Sequence, residues 1–594
     1  MHKIHIPVMG TGFSIDTPIR VAPFGVSSVI SIMDDILIEK IRKYYCNQFN
    51  LPFIPITRWS NDSRAKRITA YLNMVKEIVE IKFQKIKSLP FFEKNDKEKY
   101  FKMLPDESSL KLSYNKLLKM ASGQKRKIAE KILSNQMISG SIDVNIMVKL
   151  DRLPQYKKGE ILSPEFSDGK SALRGYAKSN LESNIILSAG INQSLYSYMT
   201  EFKDFYVNEY GKIKKNIIIK VSDFRSALIQ GKFLAKKGLK VYEFRIESGL
   251  NCGGHAFASN GYILPVILKE LYENRDQLIN SFKPLIQKYN KKMGWNHSNY
   301  QTPLITVQGG IGTSGEVERL FKDYKIDMVG IASPFLLVPE ATCLEDTTFN
   351  KLVNSTEEDL YLSDSSPLGV PFNNLKTSIS EESRKKKVEL GNPGSPCPKG
   401  FLVSNTEFSE YPICTASSDY QKQKLDELNC SEKYDLEKEK IVSKSCLCVD
   451  LANSALINLG IKKEGKSPQA ICPGQNISWF NREFSLVEMM QNFYSNNKKS
   501  LVSKERPHMF AKEIQMYVDY FDSLIQKSEL NTRNIKTFKD FYQNLKSGMD
   551  YCRSISQKQP YLFENIDSIN KWVQKQEKRL DLIYNQMLNM LTPI

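Results

Sequence analysis

Histidine is scarce in this chain, with five among 594 residues, and tryptophan is scarcer, with four. No uninterrupted apolar run reaches the roughly 18 residues that a membrane-spanning helix needs, so no membrane partner is expected. The opening residues, MHKIHIPVMGTGFSIDTPIR, lack the basic-then-apolar layout of a secretory leader, and a cytoplasmic protein is the expectation. Ten irregularly spaced cysteines in so long a chain do not make a secreted disulfide scaffold. None of them forms a C-x-x-C pair. There is also no internal repeat and no arginine-rich arm.

What is present is the composition of a water-soluble globular chain, 41% hydrophobic and 25% charged, too long for a single core. Two to four domains are expected from length. The formal net charge of +18 is compatible with nucleic acid or another polyanion as partner. Lysine is spread along the whole sequence, however, and no nucleic-acid motif accompanies it, so general compositional bias is the preferred explanation.

Between about residues 140 and 340, short aliphatic and β-branched runs alternate with helix-like stretches. The runs are SIDVNIMVKL, NIILSAGI, NIIIKV, KVYEFRIESG, PLITVQGGIG and IDMVGIASPFLLV. Such runs suit buried parallel strands, and the alternation implies an α/β fold. PIRVAPFGVSSVIS (residues 18–31) supplies one more strand and residues 51–56 another, about eight in all. The fold class expected is therefore a (β/α)8 TIM barrel over residues 1–345. A lysine-rich helical insertion occupies about 63–137. A Cys/Pro/Gly-rich extension follows over 346–480, and a mainly α-helical C-terminal region over 481–594, where apolar residues recur at three and four.

Two glycine-rich turns carry the chemistry. In ESGLNCGGHAFASNGYILPVI, a strand runs into Gly253, Gly254 and His255. In a barrel that end of the strand faces the catalytic side. The glycines let backbone approach a flat ligand, and the imidazole can serve as general base. The alternative is a histidine that only hydrogen-bonds within its loop. In ITVQGGIGTSGEVERL, a strand runs into Gly309 and Gly310 and then a helix, where backbone amides can receive an anion. The last strand ends in Ala332 and Ser333, which supply the other half of a phosphate site. A Rossmann dinucleotide site is not expected. A phosphate cradle beside an open glycine-lined face suggests bound FMN.

Here the sequence resembles the nitronate monooxygenases, formerly 2-nitropropane dioxygenases, and the related FMN-dependent enoyl-ACP reductases. GLNCGGHAFASNGYILPVI resembles their glycine–glycine–histidine motif and downstream leucine–proline–valine. QGGIGTSGEV resembles their second phosphate loop, and DMVGIASPFL their last strand. PIRVAPFGV resembles their N-terminal flavin-contacting strand, and Val144 to Ile146 their third strand. The resemblance covers roughly residues 10–340 without the insertion. It implies that Ala22 and Pro23 line the flavin and that Asn145 and Lys220 touch its ring or phosphate side. It places Gly253 and Gly254 close to the ring, and Gln308, Gly309, Gly310, Gly330, Ala332 and Ser333 around the phosphate. His255 becomes the base or proton donor. Asn251 stands where the family has glutamate, Cys252 and Gln308 where it has alanine, and Ala332 where it has glycine. These departures bear on the substrate more than on the flavin.

The activity implied is flavin-dependent oxidoreduction: proton abstraction alpha to an activated carbon, then electron transfer to flavin and dioxygen. One alternative is an NAD(P)H-dependent enoyl reductase acting on an acyl-thioester. Another, of a different class, is a basic scaffold for RNA or a protein. Cys397, Cys414, Cys430, Cys446, Cys448 and Cys472 are candidate thiolate ligands for zinc or an iron–sulfur cluster, with free buried thiols preferred. Cys252 beside His255 could form a nucleophilic couple, with a small residue packing under the flavin preferred. The insertion could bind a polyanion, cap the barrel mouth, or stand as a solvated helical hairpin.

Overall fold

The computed structural model describes residues 2–148, 150–153, 162–295, 301–428, 434–463, 467–494, 499–529 and 531–591. Eight parallel strands close into a barrel in sequence order: β1 (Ile4–Ile6), β2 (Ser27–Ser31), β3 (Ile142–Asn145), β4 (Ser183–Leu187), β5 (Lys215–Val221), β6 (Val241–Glu247), β7 (Leu304–Gln308) and β8 (Met328–Gly330). β1 shuts the ring by pairing with both β2 and β8. The (β/α)8 class expected from the alternation is the fold observed.

Two of the eight expected strands need correction. Residues 51–56 form no strand; Pro52 and Pro55 remove two ladder donors, and none of the stretch is fully buried. The strand that completes the ring is β1, only three residues long. Within residues 18–31, Pro18 opens a helix, Thr17–Val21, and Pro23 lies in a tight helical turn, Ala22–Phe24. Both prolines have the fixed φ that suits a first helical turn, so the strand begins only at Ser27.

The barrel interior explains the charges inside β6. Outward-facing Phe244 and Ile246 join the main apolar core, which places Glu243, Arg245 and Glu247 inside. Arg245 donates to Glu243 at 2.7 Å, and both are buried. Asn184 donates to Asp143 at 2.8 Å, and Asn216 to Asn184 at 3.0 Å. Val29, Ile186 and Ile218 form a small separate apolar layer. Paired polar groups thus occupy a space that such barrels usually fill with aliphatics.

The insertion is helical: Ser63–Ser88, Asp96–Met103, Ser109–Leu118 and Gln124–Gln136. Its first helix packs between the helices Asp35–Gln48 and Asp168–Ala177, within the barrel's outer layer. Tyr100 of the second helix lies under Gly25 and donates to the carbonyl of Ile138, on the side from which β2 and β3 start. A cap over the barrel mouth was one of three alternatives for this segment; its second helix lies instead at the opposite end. Further on, a hairpin of β9 (Leu360–Ser363) and β10 (Phe372–Leu375) follows the barrel. The helices Met509–Lys527, Thr532–Ser556 and Asp567–Asn589 pack on one another. Among the described residues no helix is long and apolar enough to cross a membrane.

Candidate active site

The C-terminal ends of the strands gather most of the residues singled out from sequence. Asn145, Gln308 and Gly330 end β3, β7 and β8, and Lys220 stands one residue before the end of β5, all at inward-facing positions. Lys220 donates to Glu247 at 2.5 Å, and Gln308 donates to the same carboxylate. Beneath them lies His5 of β1, buried, with neither ring nitrogen hydrogen-bonded. Burial, and then Arg245, hold its pKa well below the usual value, so it is neutral.

The two glycine turns meet. A Cβ on Gly310 would come within 2.2 Å of the Asn251 amide nitrogen, and one on Gly309 within 2.6 Å of the Cys252 sulfur. Gly253 lies against the carbonyl of Cys472, and Gly474 donates its N–H to Ser333 at 2.9 Å. Ala332 is the N-cap of the short helix Ser333–Leu337. Thus Gly253, Gly309, Gly310, Ala332 and Ser333 surround one point on the rim. Ala22 and Pro23 do not join them. The carbonyl of Ala22 accepts from Gly140 at 2.8 Å, just before β3, at the opposite end of the barrel. Their placement on the flavin is corrected, because the strand they were to end begins only after them.

Both turns are held by chain from beyond the barrel. Asn373 of β10 donates its side chain to the carbonyl of Cys252 at 2.6 Å and its backbone N–H to the carbonyl of Gly254 at 2.8 Å. Gly254 in turn donates to the carbonyl of Cys472 at 3.1 Å. In the second turn three successive carbonyls, of Gly310, Ile311 and Gly312, accept from Arg506 (2.6 Å), Asn476 (2.9 Å) and Asn492 (3.1 Å). A trans peptide opposes its N–H to its C=O, so the N–H of Ile311 is turned away from Arg506.

That second turn also reads G-x-G-x-x-G over Gly310, Gly312 and Gly315, the spacing of a dinucleotide loop in open sheets. Here Glu316 occupies the helix N-terminus. Its carboxylate accepts from the N–H of Gly312 at 2.7 Å and of Met509 at 2.7 Å, and pairs with Arg506 at 2.7 Å. An anion is excluded from that point, and the amides of Gly310, Ile311 and Ser333 are what the rim has left to offer a phosphate.

His255 is half-buried beside β10. Its Nε2 lies 2.8 Å from the Ser366 hydroxyl, and its ring stands edge-on to Phe372 at 5.0 Å between centroids. The Cys252 thiol points at the carbonyl of Gln308, 3.6 Å away, and burial raises its pKa well above the usual value. It stays protonated, which removes the Cys252–His255 nucleophilic couple.

Unpartnered polar atoms mark the rim as a place for a ligand. Gln308 Oε1, Asn251 Oδ1 and Asn373 Oδ1 are buried without partners around the glycine turns. All three are acceptors, so a ligand at this point would meet them with hydrogen-bond donors. Among the candidate thiolates, Cys397 and Cys414 are hydrogen-bonded to each other; that bond lowers the Cys397 thiol to about 7 and raises its donor. Cys446, Cys448 and Cys472 are free thiols with raised pKa values, burial being the main cause. Among the described residues no three or more His, Cys, Asp or Glu side chains are grouped to hold a metal ion. Cys430 lies outside the described residues.

Glu247, His5, Glu316, Arg506 and Asn373 were not singled out from sequence. Only Glu247 and its strand mates carried a local signal: charges at every second position of a run otherwise buried.

No family model and no curated protein matches the chain. Among solved structures it is similar to a nitroalkane oxidase from Streptomyces ansochromogenes, at 10% identity and a TM-score of 0.34, over 83% of this chain and 94% of that one.

Proposed function

We propose that the barrel mouth holds FMN and that the protein is a flavin-dependent oxidoreductase acting as nitronate monooxygenases do, on a small substrate with an acidified C–H bond. The observation that supports this is the convergence of two glycine turns and the ends of β5, β7 and β8 around unpartnered buried polar atoms. A bound flavin would supply the electron sink and pass the pair to dioxygen. The amides of Gly310, Ile311 and Ser333 would receive its phosphate. Lys220, fixed by Glu247, brings a cation to the rim, and the Gln308 amide a hydrogen-bond partner. His255 takes the substrate proton, oriented by the Ser366 hydroxyl. Glu247 and Asn373 act through Lys220 and the first turn and are positioning residues.

The test begins with the visible spectrum of the purified full-length protein, which should show the two bands of an oxidised flavin. Anaerobic bleaching by a nitronate supports the reading. Bleaching by NADPH with an enoyl-thioester as acceptor would replace it by the reductase alternative. His255→Ala should retain the flavin and lose about 10²–10⁴-fold in turnover. A colourless protein that releases no flavin on denaturation overturns the proposal.

A further inference from the structure

The chain beyond the barrel builds a second polar cleft, shallow and open to solvent. Its walls are the helix Ile379–Glu389, the turn at 394–395, and residues 444–450 leading into the helix Leu447–Asn458. Three cations line it, Arg384, Lys387 and Lys444, with hydroxyls from Ser380, Ser383, Ser395 and Ser445. Arg384 is held in place by Glu381 at 2.8 Å. Lys387 has two long contacts, 3.3 Å to the carbonyl of Gly394 and 3.4 Å to the Ser395 hydroxyl. Lys444 donates to the carbonyl of Asp364 at 2.7 Å. Neither lysine has a carboxylate within ion-pair distance among the described residues.

Two further atoms show a demand left unmet. Ser445 Oγ and Asp450 Oδ1 are buried without hydrogen-bond partners, in residues 6% and 3% exposed. The other Asp450 oxygen accepts from Ser380 at 2.7 Å. Burial pushes the Asp450 carboxyl up to about 7, so near neutral pH it is shared between an acid that can donate and an anion, and the acid is the form that admits an oxyanion. The cleft therefore gathers donors from separate segments, Arg384 and Lys387 on one helix and Lys444 and Ser445 on another stretch. A tetrahedral oxyanion has oxygens enough for all of them.

We propose that this cleft binds a phosphoryl group, free or as a monoester, through Lys387, Lys444 and the Ser445 hydroxyl, with Arg384 adding charge. The site lies outside the barrel mouth and does not depend on the flavin.

The test is titration of the full-length protein with orthophosphate and with glycerol phosphate, read as heat and as thermal midpoint, against chloride at matched ionic strength. Saturable binding of either is expected, and the Lys387→Gln/Lys444→Gln variant should weaken it about tenfold or more. A stronger response to the monoester identifies the phosphoryl end of a larger ligand; equal responses identify the free ion. Flavin content should be unchanged in that variant, which separates this cleft from the rim. Should the double variant fold poorly, Ser445→Ala, a small change on an unpartnered hydroxyl, should weaken binding at unchanged thermal midpoint. No saturable response beyond chloride, or full affinity in a folded variant, overturns the proposal.

Discussion

Gly254 and Gly310 share a left-handed backbone, at φ +77° and +75°, but their surroundings differ. A Cβ on Gly254 would meet nothing within 4 Å, whereas one on Gly310 would displace the buried Asn251 side chain. Gly254→Ala should therefore cost only backbone strain, about 1 kcal/mol. Gly310→Ala should cost a further 1–3 kcal/mol or so for overpacking and should also weaken flavin retention. Urea unfolding of the pair, with flavin content alongside, measures the difference. Glu513 offers a second test at this scale. It accepts from the Ser248 hydroxyl at 2.6 Å and the N–H of Leu264 at 3.0 Å, and burial raises its pKa from 4.5 to about 7. Its folded-state value lies above the unfolded one, so between these limits the native state holds more protons. Stability then falls as pH rises from about 4.5 to about 7, by something on the order of 3 kcal/mol for this group. Glu513→Gln should flatten that part of the stability profile; an unchanged slope would assign the dependence to other groups.

Among the elements, the hairpin β9–β10 has a role out of proportion to its eight strand residues, since β10 hydrogen-bonds the Gly253–His255 turn directly. Asn373→Ala removes the donor to the carbonyl of Cys252 and should cost about 1–2 kcal/mol. Turnover should fall more than stability, because the turn that carries His255 loosens. Equal losses in the two would make Asn373 merely structural. The alternation of apolar runs was enough to read six strands and the barrel class, because the faces that pack on the helices stay aliphatic even where, as in β6, the inward face is charged. β1 escaped because three residues, Ile4–Ile6, are too few to show a pattern. Residues 51–56 misled because their apolar side chains are separated by prolines that forbid the ladder. The two glycine turns were legible for a local reason, a strand running into backbone with no side chain. Their partners were not: the distance in sequence from Gly310 to Arg506 leaves no periodicity to read.

For the molecule as a whole, the barrel and its C-terminal extension share buried charge. Arg506 joins Glu316, Gly310 and Asn476, and its side chain and that of Glu316 are almost fully buried. Arg319 pairs in the same way with Glu564, which also accepts from His508 at 3.0 Å. Arg506→Ala strands the Glu316 carboxylate and should cost about 3–5 kcal/mol. Arg506→Lys should recover only part, because an ammonium cannot match the fork of three contacts. If calorimetry shows a single unfolding transition moving to lower temperature in Arg506→Ala, barrel and C-terminal helices unfold together; two separated transitions would show that they do not.

The same arrangement sets an order of events during synthesis. A ribosome finishes all eight barrel strands well before it reaches Asn476, Asn492 and Arg506. Until those residues emerge, the Gly310–Gly312 carbonyls lack their side-chain donors, and the Glu316 anion has only the amides of its own turn and water. The nascent barrel cannot shape its own rim, and a ligand of that rim can be taken up only by a chain that is nearly complete.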